Sequence, residues 1–220
     1  MNVILKTLAA AAALAAASAF AADDVGLINH MIGDVSYASG GATAKAKPFM
    51  KLREGDRVSV PSGALVRVVY FQGGRQESYS GPAGFTAGKQ ESSVQSGAKP
   101  QVSTLPAGVS QKIAQTPELV AIAKLGRSGG VAVRGLGDPK RLTPQQQAEV
   151  RQAHQTYDQI RKGAAADDIT AELYLYSVLQ DHLLYSDMKP VVAEMQKRQP
   201  GNPDVQVMAE YVKVKTEPAK

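Results

Sequence analysis

The sequence predicts an α+β, multidomain chain: an all-β N-terminal part, a polar connector and an α-helical C-terminal part. Three observations predict it. Residues 25–87 alternate short apolar runs with turns containing Gly, Pro and Asp. Residues 88–112 are rich in Gln, Ser, Gly, Ala and Pro and show almost no apolar period. From Thr143 onward apolar residues return at spacings of three and four, the period of a helix buried on one side. The expected bounds are 25–98 for the β domain, 99–140 for a linker with a short helix and strand, and 141–214 for the helical domain.

Each β element has a local reason. Val25 to Ile28 is β-compatible, and Gly33-Asp34-Val35-Ser36-Tyr37 alternates with Val35 and Tyr37 on one face. Ser39-Gly40-Gly41 is a turn. Glu54-Gly55-Asp56 opens into Val58 and Val60, and Pro61-Ser62-Gly63 turns again. Ala64 to Phe71 is the strongest strand. Val66, Val68 and Tyr70 share one face, while Leu65, Val69 and Phe71 share the other, interrupted only by Arg67. A strand apolar on both faces belongs inside a sandwich or rolled sheet. Gly73-Gly74 closes a hairpin, and Arg75 to Tyr79 returns as a polar strand expected at an edge. Phe85 plugs back into the core after Gly81-Pro82-Ala83-Gly84. The expectation is about seven strands.

The order of these features resembles the FecR domain, a small all-β module of bacterial envelope proteins. The matching residues are Gly33-Asp34-Val35, Leu52, Gly55-Asp56, Ser62-Gly63, Val69-Tyr70-Phe71 and Gly73-Gly74. The resemblance implies a sandwich or roll in a protein that relays signals or regulates an envelope system by binding another protein.

In the linker, Thr116-Pro117-Glu118 starts a helix carrying Leu119, Ile122 and Leu125, which Gly126 is expected to stop. Gly129 to Gly135 reads as a short strand, Val131-Ala132-Val133, that either rejoins the β domain, the favoured placement, or lies as an ordered connector. Thr143 caps the next helix and Pro144 begins it, with Val150, Ala153, Tyr157 and Ile160 as its stripe and Gly163 as its end. Asp167 and Asp168 precede a second helix bearing Leu175, Leu179 and Leu183. Asp187 caps a third, with Pro190 in its first turn and Met188, Val192 and Met195 inward. Asn202, within Pro200-Gly201-Asn202-Pro203, caps a fourth bearing Val205, Met208 and Val212. Residues 169–202 resemble one tetratricopeptide repeat, on Tyr185 before the turn, Met188 opening the second helix and Pro200 closing it. Met188 stands where that family usually has Ala, and its usual Gly before the tyrosine is absent. The resemblance implies a TPR-like bundle in which the flanking helices bury the repeat's outer faces.

Residues 1–21 read as a cleaved signal peptide. Lys6 is the positive n-region, Leu8 to Ala17 the apolar stretch, and Ala19-Phe20-Ala21 the small-x-small cleavage pattern before Asp23-Asp24. A spanning helix needs about 20 apolar residues, so the chain is expected to be periplasmic with no transmembrane anchor. Cleavage leaves 199 of 220 residues. With no cysteine the chain lacks a lipobox, disulfides and any thiolate site. The 25 basic and 20 acidic residues give a net charge of +5. The basic residues are scattered, without the stripe and interleaved aromatics of a nucleic-acid site, so no nucleic-acid partner is expected.

Catalytic chemistry is sparse. His154 has Asp158 at i+4, which reads as a surface pair, none of His30, His154 and His182 belongs to a plausible ligand set, and no Gly-x-Ser-x-Gly elbow occurs. Leu125 to Gly130 is glycine-rich without the Gly-Lys-Ser/Thr ending of a phosphate cradle, and reads as a connector. The adjacent pairs Asp23-Asp24 and Asp167-Asp168 read as a chain start and a helix start. The chain is therefore expected to be no enzyme and to need no metal or cofactor. Tyr174, Tyr176, Tyr185 and Tyr211 are the candidate partner-binding residues, because tyrosines on paired helices can line a peptide groove; core filling is the competing reading. The favoured partner is another envelope protein. The alternative is a cell-wall polymer, peptidoglycan or another glycan, held by the β domain's aromatics.

Overall fold

The structure is a computed structural model that describes residues 23–127 and 142–217. The expected signal peptide, 1–21, and the expected strand Val131-Ala132-Val133 lie outside these residues. The strands are β1 (Asp24–Ile32), β2 (Ser36–Ser39), β3 (Ala42–Lys45), β4 (Lys51–Arg53), β5 (Arg57–Val60), β6 (Leu65–Tyr70), β7 (Arg75–Ser80), β8 (Ala83–Ala87), β9 (Ser92–Gly97) and β10 (Gln101–Thr104). The helices are α1 (Val109–Ile113), α2 (Thr116–Arg127), α3 (Pro144–Gly163), α4 (Thr170–Asp181), α5 (Tyr185–Arg198) and α6 (Pro203–Thr216). The chain is thus mixed: an antiparallel two-sheet region followed by helices.

One five-stranded sheet runs β10-β7-β6-β1-β4, the other β3-β2-β5-β8-β9. Val66, Val68 and Tyr70 of β6 meet Val58, Val60 and Phe85 of the opposite sheet in one apolar core. The other face of the first sheet is covered by helices. Leu27 of β1 and Val69 of β6 belong to the same core as Val109, Ile113, Leu173 and Leu179. This explains why β6 is apolar on both sides: each face has its own core. Phe49 seals an edge of the second core. Its φ of 60° is left-handed backbone, costing about 1–2 kcal/mol in a residue with a Cβ, and burial of its ring against the helical core offsets that cost.

Three expectations are corrected. Residues 88–112 are not linker; they contain β9, β10 and α1. β9 and β10 are outer strands with exposed Ser, Gln and Val side chains, so no burial pattern was present to read. The strands therefore number ten among the described residues. β7 is not an edge, since it lies between β6 and β10 with Gln76, Glu77 and Tyr79 buried.

The helices also depart from local reading. α1 and α2, expected in a linker, pack against α4 and α6 respectively. Lys51 Nζ reaches Glu118 Oε1 at 2.8 Å, tying α2 to β4. Gly126 does not stop α2, which runs to Arg127. A Cβ at Gly126 would lie 2.6 Å from the Tyr211 ring, so this glycine permits close approach of α2 and α6. Thr143 forms a capping box with Gln146 at the start of α3, and Asn202 caps α6. Asp187 caps nothing. It sits in the first turn of α5, whose preceding residue, Leu184, makes no side-chain cap.

Candidate functional site

The two cores are joined by a buried polar cluster. It starts at a β-bulge: the β1–β6 register slips between Ile28 and His30. The bulge inserts Asn29 without turning the rest of β1 inside out, and both Asn29 and His30 reach the chain just ahead of α4. Asn29 Nδ2 donates to Thr170 Oγ1 at 2.6 Å. Gln76 Nε2 donates to Asp168 Oδ2 at 2.7 Å. Asp168 Oδ1 accepts from the Thr170 amide at 2.8 Å. The Thr170 hydroxyl lies 2.6 Å from Asp168 Oδ1 and 2.9 Å from Gln76 Oε1; its single proton serves one of them at a time.

Arg67 is the cation of this cluster. Its Nε donates to Ser78 Oγ at 3.0 Å and its Nη2 to Asp167 Oδ1 at 3.2 Å, and Asp168 Oδ2 lies 3.7 Å from Nε. The guanidinium is 5% exposed and the Asp168 carboxylate 2%, so each charge is kept out of water by its counter-charge. A second carboxylate, Glu172 of α4, is fully buried. Arg161 Nη1 donates to it at 3.1 and 3.0 Å, Arg198 Nε lies 3.2 Å away, and the Tyr157 hydroxyl donates at 3.2 Å. Arg161 and Arg198 also donate to the carbonyls of Asp168 and Ala166. The 165–168 turn is therefore held from the sheet side and the helix side at once. Asp168 meets the first amide of α4, as a residue at a helix start does, and beyond that reading Asp167 and Asp168 bind the sheet to the helices.

A cleft of about 330 Å³ opens beside this cluster. His30, Asp167 and Arg198 face it, with Met31, Ile32, Pro48, Pro200 and Pro203 among its walls. His30 Nε2 lies 2.9 Å from Asp167 Oδ2. Burial lowers the His30 pKa below its ordinary 6.5; Asp167 and Asp168 push it up, and Arg67 pushes it down. Burial opposes ionisation of Asp167, but Arg67 and His30 outweigh it and hold the carboxyl below its usual range. Among the described residues no set of three His, Asp or Glu side chains is disposed to hold a metal ion.

These shifts make an acid-side stability loss. The unfolded chain protonates His30 near 6.5 while the folded chain resists, so stability falls as pH drops below about 6.5 and stops falling below the folded value. The stability due to Asp167 persists above 3.8 and is lost as pH falls through its lower folded value. Urea unfolding between about pH 7 and pH 5 is expected to show a steeper loss for wild type than for His30→Gln. Equal slopes would remove His30 as the source.

The four candidate tyrosines do not gather in a groove. Tyr176, Tyr185 and Tyr211 are buried in the helical core, and Tyr174 is half-buried against it. Tyr185 and Tyr211 meet edge to face, with centroids 5.9 Å apart and an interplanar angle of 81°, and burial raises the hydroxyl pKa of Tyr176 and Tyr211. Large rings at inward helix positions bury more area as core than as groove lining. The open groove on the helical part lies between α5 and α6, about 650 Å³, lined by Val192, Ala193 and Ala209 together with Lys189, Glu210 and Lys213. The sequence signal for the polar cluster was Arg67, the one charge in a strand apolar on both faces.

The folded region defines a two-sheet β unit with helices packed on one sheet, and among the described residues no helix is long and apolar enough to cross a membrane. Comparison with known protein families, with curated proteins and with solved structures finds no match.

Proposed function

We propose that this chain is a non-enzymatic, soluble periplasmic interaction module that binds another envelope protein through its helical part. The observation that carries this is the open α5–α6 groove, whose lining mixes apolar residues (Val192, Ala193, Ala209, Val212) with polar and charged ones, as protein-binding surfaces do. The resemblances of 33–86 to a FecR domain and of 169–202 to a TPR-like hairpin agree with it, as does the signal-peptide pattern of 1–21. Tyr174 is the one candidate tyrosine that is only half-buried. Tyr176, Tyr185 and Tyr211 set the spacing of the helices from within. The sheets act as the mount, stiffened by the Arg67–Asp168 cluster. The glycan reading ranks second, because Tyr70, Tyr79 and Phe85 are buried and only Tyr37 and Phe71 of the β region's tested aromatics are even partly open for stacking.

The test is photo-crosslinking in the native host from single positions on α5 and α6, Gln196 and Glu210, with Ser93 on β9 as the distant control. The expected result is a mature chain starting near Ala22 that gives the same envelope-protein adduct from both helix positions and none from Ser93. Adducts from Ser93 alone, or an intact Met1 in the membrane fraction, would overturn the reading.

A further inference from the structure

Residues 88–104 hold two strands, β9 and β10, yet none of them is buried. Gly88, Ser92 and Pro100 are half-buried and the rest are exposed. The residues on either side are anchored, Ala87 in the core between the sheets and Leu105 in the helical core. β9 lies outside β8 in one sheet and β10 outside β7 in the other, so the run passes from sheet to sheet at one side of the sandwich. Backbone pairing to β8 and β7 holds it there. The ion pairs Lys89–Glu54, at 3.8 Å, and Arg75–Glu91, at 3.5 Å, are at the surface and add little. A segment with so few buried contacts sits at the low end of local stability.

One side-chain attachment goes inward. Ser92, the first residue of β9, reaches from its own sheet to Glu77 of β7 in the other. Its hydroxyl donates to Glu77 Oε2, and its amide donates to the same oxygen at 3.4 Å. The Tyr79 hydroxyl lies against the Ser92 hydroxyl and 3.3 Å from Glu77 Oε2. Arg75 Nε donates to Glu77 Oε1 at 2.5 Å. The Glu77 side chain is 1% exposed. A buried carboxylate makes a fastening that can release. Closed, it accepts from Ser92, Tyr79 and Arg75; open, it loses Ser92 but regains water, and its hydration offsets much of the loss. We propose that residues 88–104 are a strap that opens as one unit between Ala87 and Leu105, with the Ser92–Glu77 contact as its catch. Opening frees the outer edges of β7 and β8 together, one in each sheet, and a bare edge is a template for an added strand. The strap works independently of the α5–α6 groove.

The test is amide hydrogen exchange, read by NMR on the whole mature chain labelled with 15N. The β9 amides that pair with β8 and the β10 amides that pair with β7 are expected to share one protection factor, within about threefold. That factor should be at least about 100-fold below those of β1 and β6. Ser92→Ala is expected to speed exchange across 93–104 about tenfold and to leave β1 and β6 within about threefold. Val94→Ala, at an exposed position of the same strand, is the control and is expected to change the strap by no more than about threefold. Protection in β9 and β10 equal to that of β6, or clearly different in the two strands, would overturn the single unit. A gain from Ser92→Ala that is matched by Val94→Ala, or that is equal in β1 and β6, would overturn the catch. The wild-type comparison stands without either variant.

Discussion

A chain truncated after residue 141 is expected not to fold cooperatively, even though every strand is still present. Leu27, Val69 and Phe49 would lose the helical core that covers them. The loss is more than apolar area. Asn29, Gln76 and Arg67 are buried in the sheet and take partners from residues 167–170. Without those partners they open to water together with the apolar face around them, and the contacts that tie the sheet to residues 167–170 are lost. α1 and α2 would lose α4 and α6 as well. Uncovering several buried apolar side chains, at about 1.5–3 kcal/mol each, removes an amount comparable with the whole stability of an ordinary domain, about 5–15 kcal/mol. Calorimetry and an amide spectrum of the truncated chain check this. A sharp melt near that of the full chain would mean that the sheets are autonomous, as the sequence bounds of 25–98 implied.

Arg67→Ala is expected to cost about 3–5 kcal/mol, the range for breaking a buried pair from one side. The reason is the carboxylate left behind. Asp168 is 2% exposed, and Arg67 is the cation beside it. The melting temperature should fall by roughly 10 °C for a chain of this size. The pH dependence carries the sharper signature. Arg67 also pushes the His30 pKa down, so without it His30 takes up a proton more readily in the folded chain and the acid-side loss due to His30 is smaller. The deficit relative to wild type should then shrink as pH falls below about 6.5. Asp168→Asn in the same chain should recover part of the loss. A deficit that is constant with pH, or no recovery in the double variant, would show that Arg67 matters through the packing of its stem alone.

The strand and helix inventory was legible wherever one face of an element meets a core. β6 could be read from Val66, Val68 and Tyr70, α3 from Ala153 and Ile160, and α6 from Val205, Met208 and Val212, because burial imposes its period on the chain. β9 and β10 were not legible, because outer strands with two solvated faces carry no such period. β7 was misplaced for the opposite reason. Its Gln76 and Glu77 look like surface residues, and what makes them interior is Asp168 and Ser92, far along the chain. The tyrosines were ambiguous in the same way, since an inward ring and a groove-lining ring occupy the same helical spacing.

By itself, the sequence determined the class: an antiparallel β part, then helices, with turns at its Gly, Pro and Asp clusters and caps at Thr143 and Asn202. Those features rest on interactions within a few residues, which local composition encodes. The tertiary structure alone decided that α1 and α2 belong to the helical core, that one sheet carries a core on each face, and that Asp167 and Asp168 close a polar cluster around Arg67. A buried charge is stable only when its partner arrives, and here Asp167 lies 100 positions further along the chain. That pairing is a property of the assembled layers, and no window of local sequence contains it.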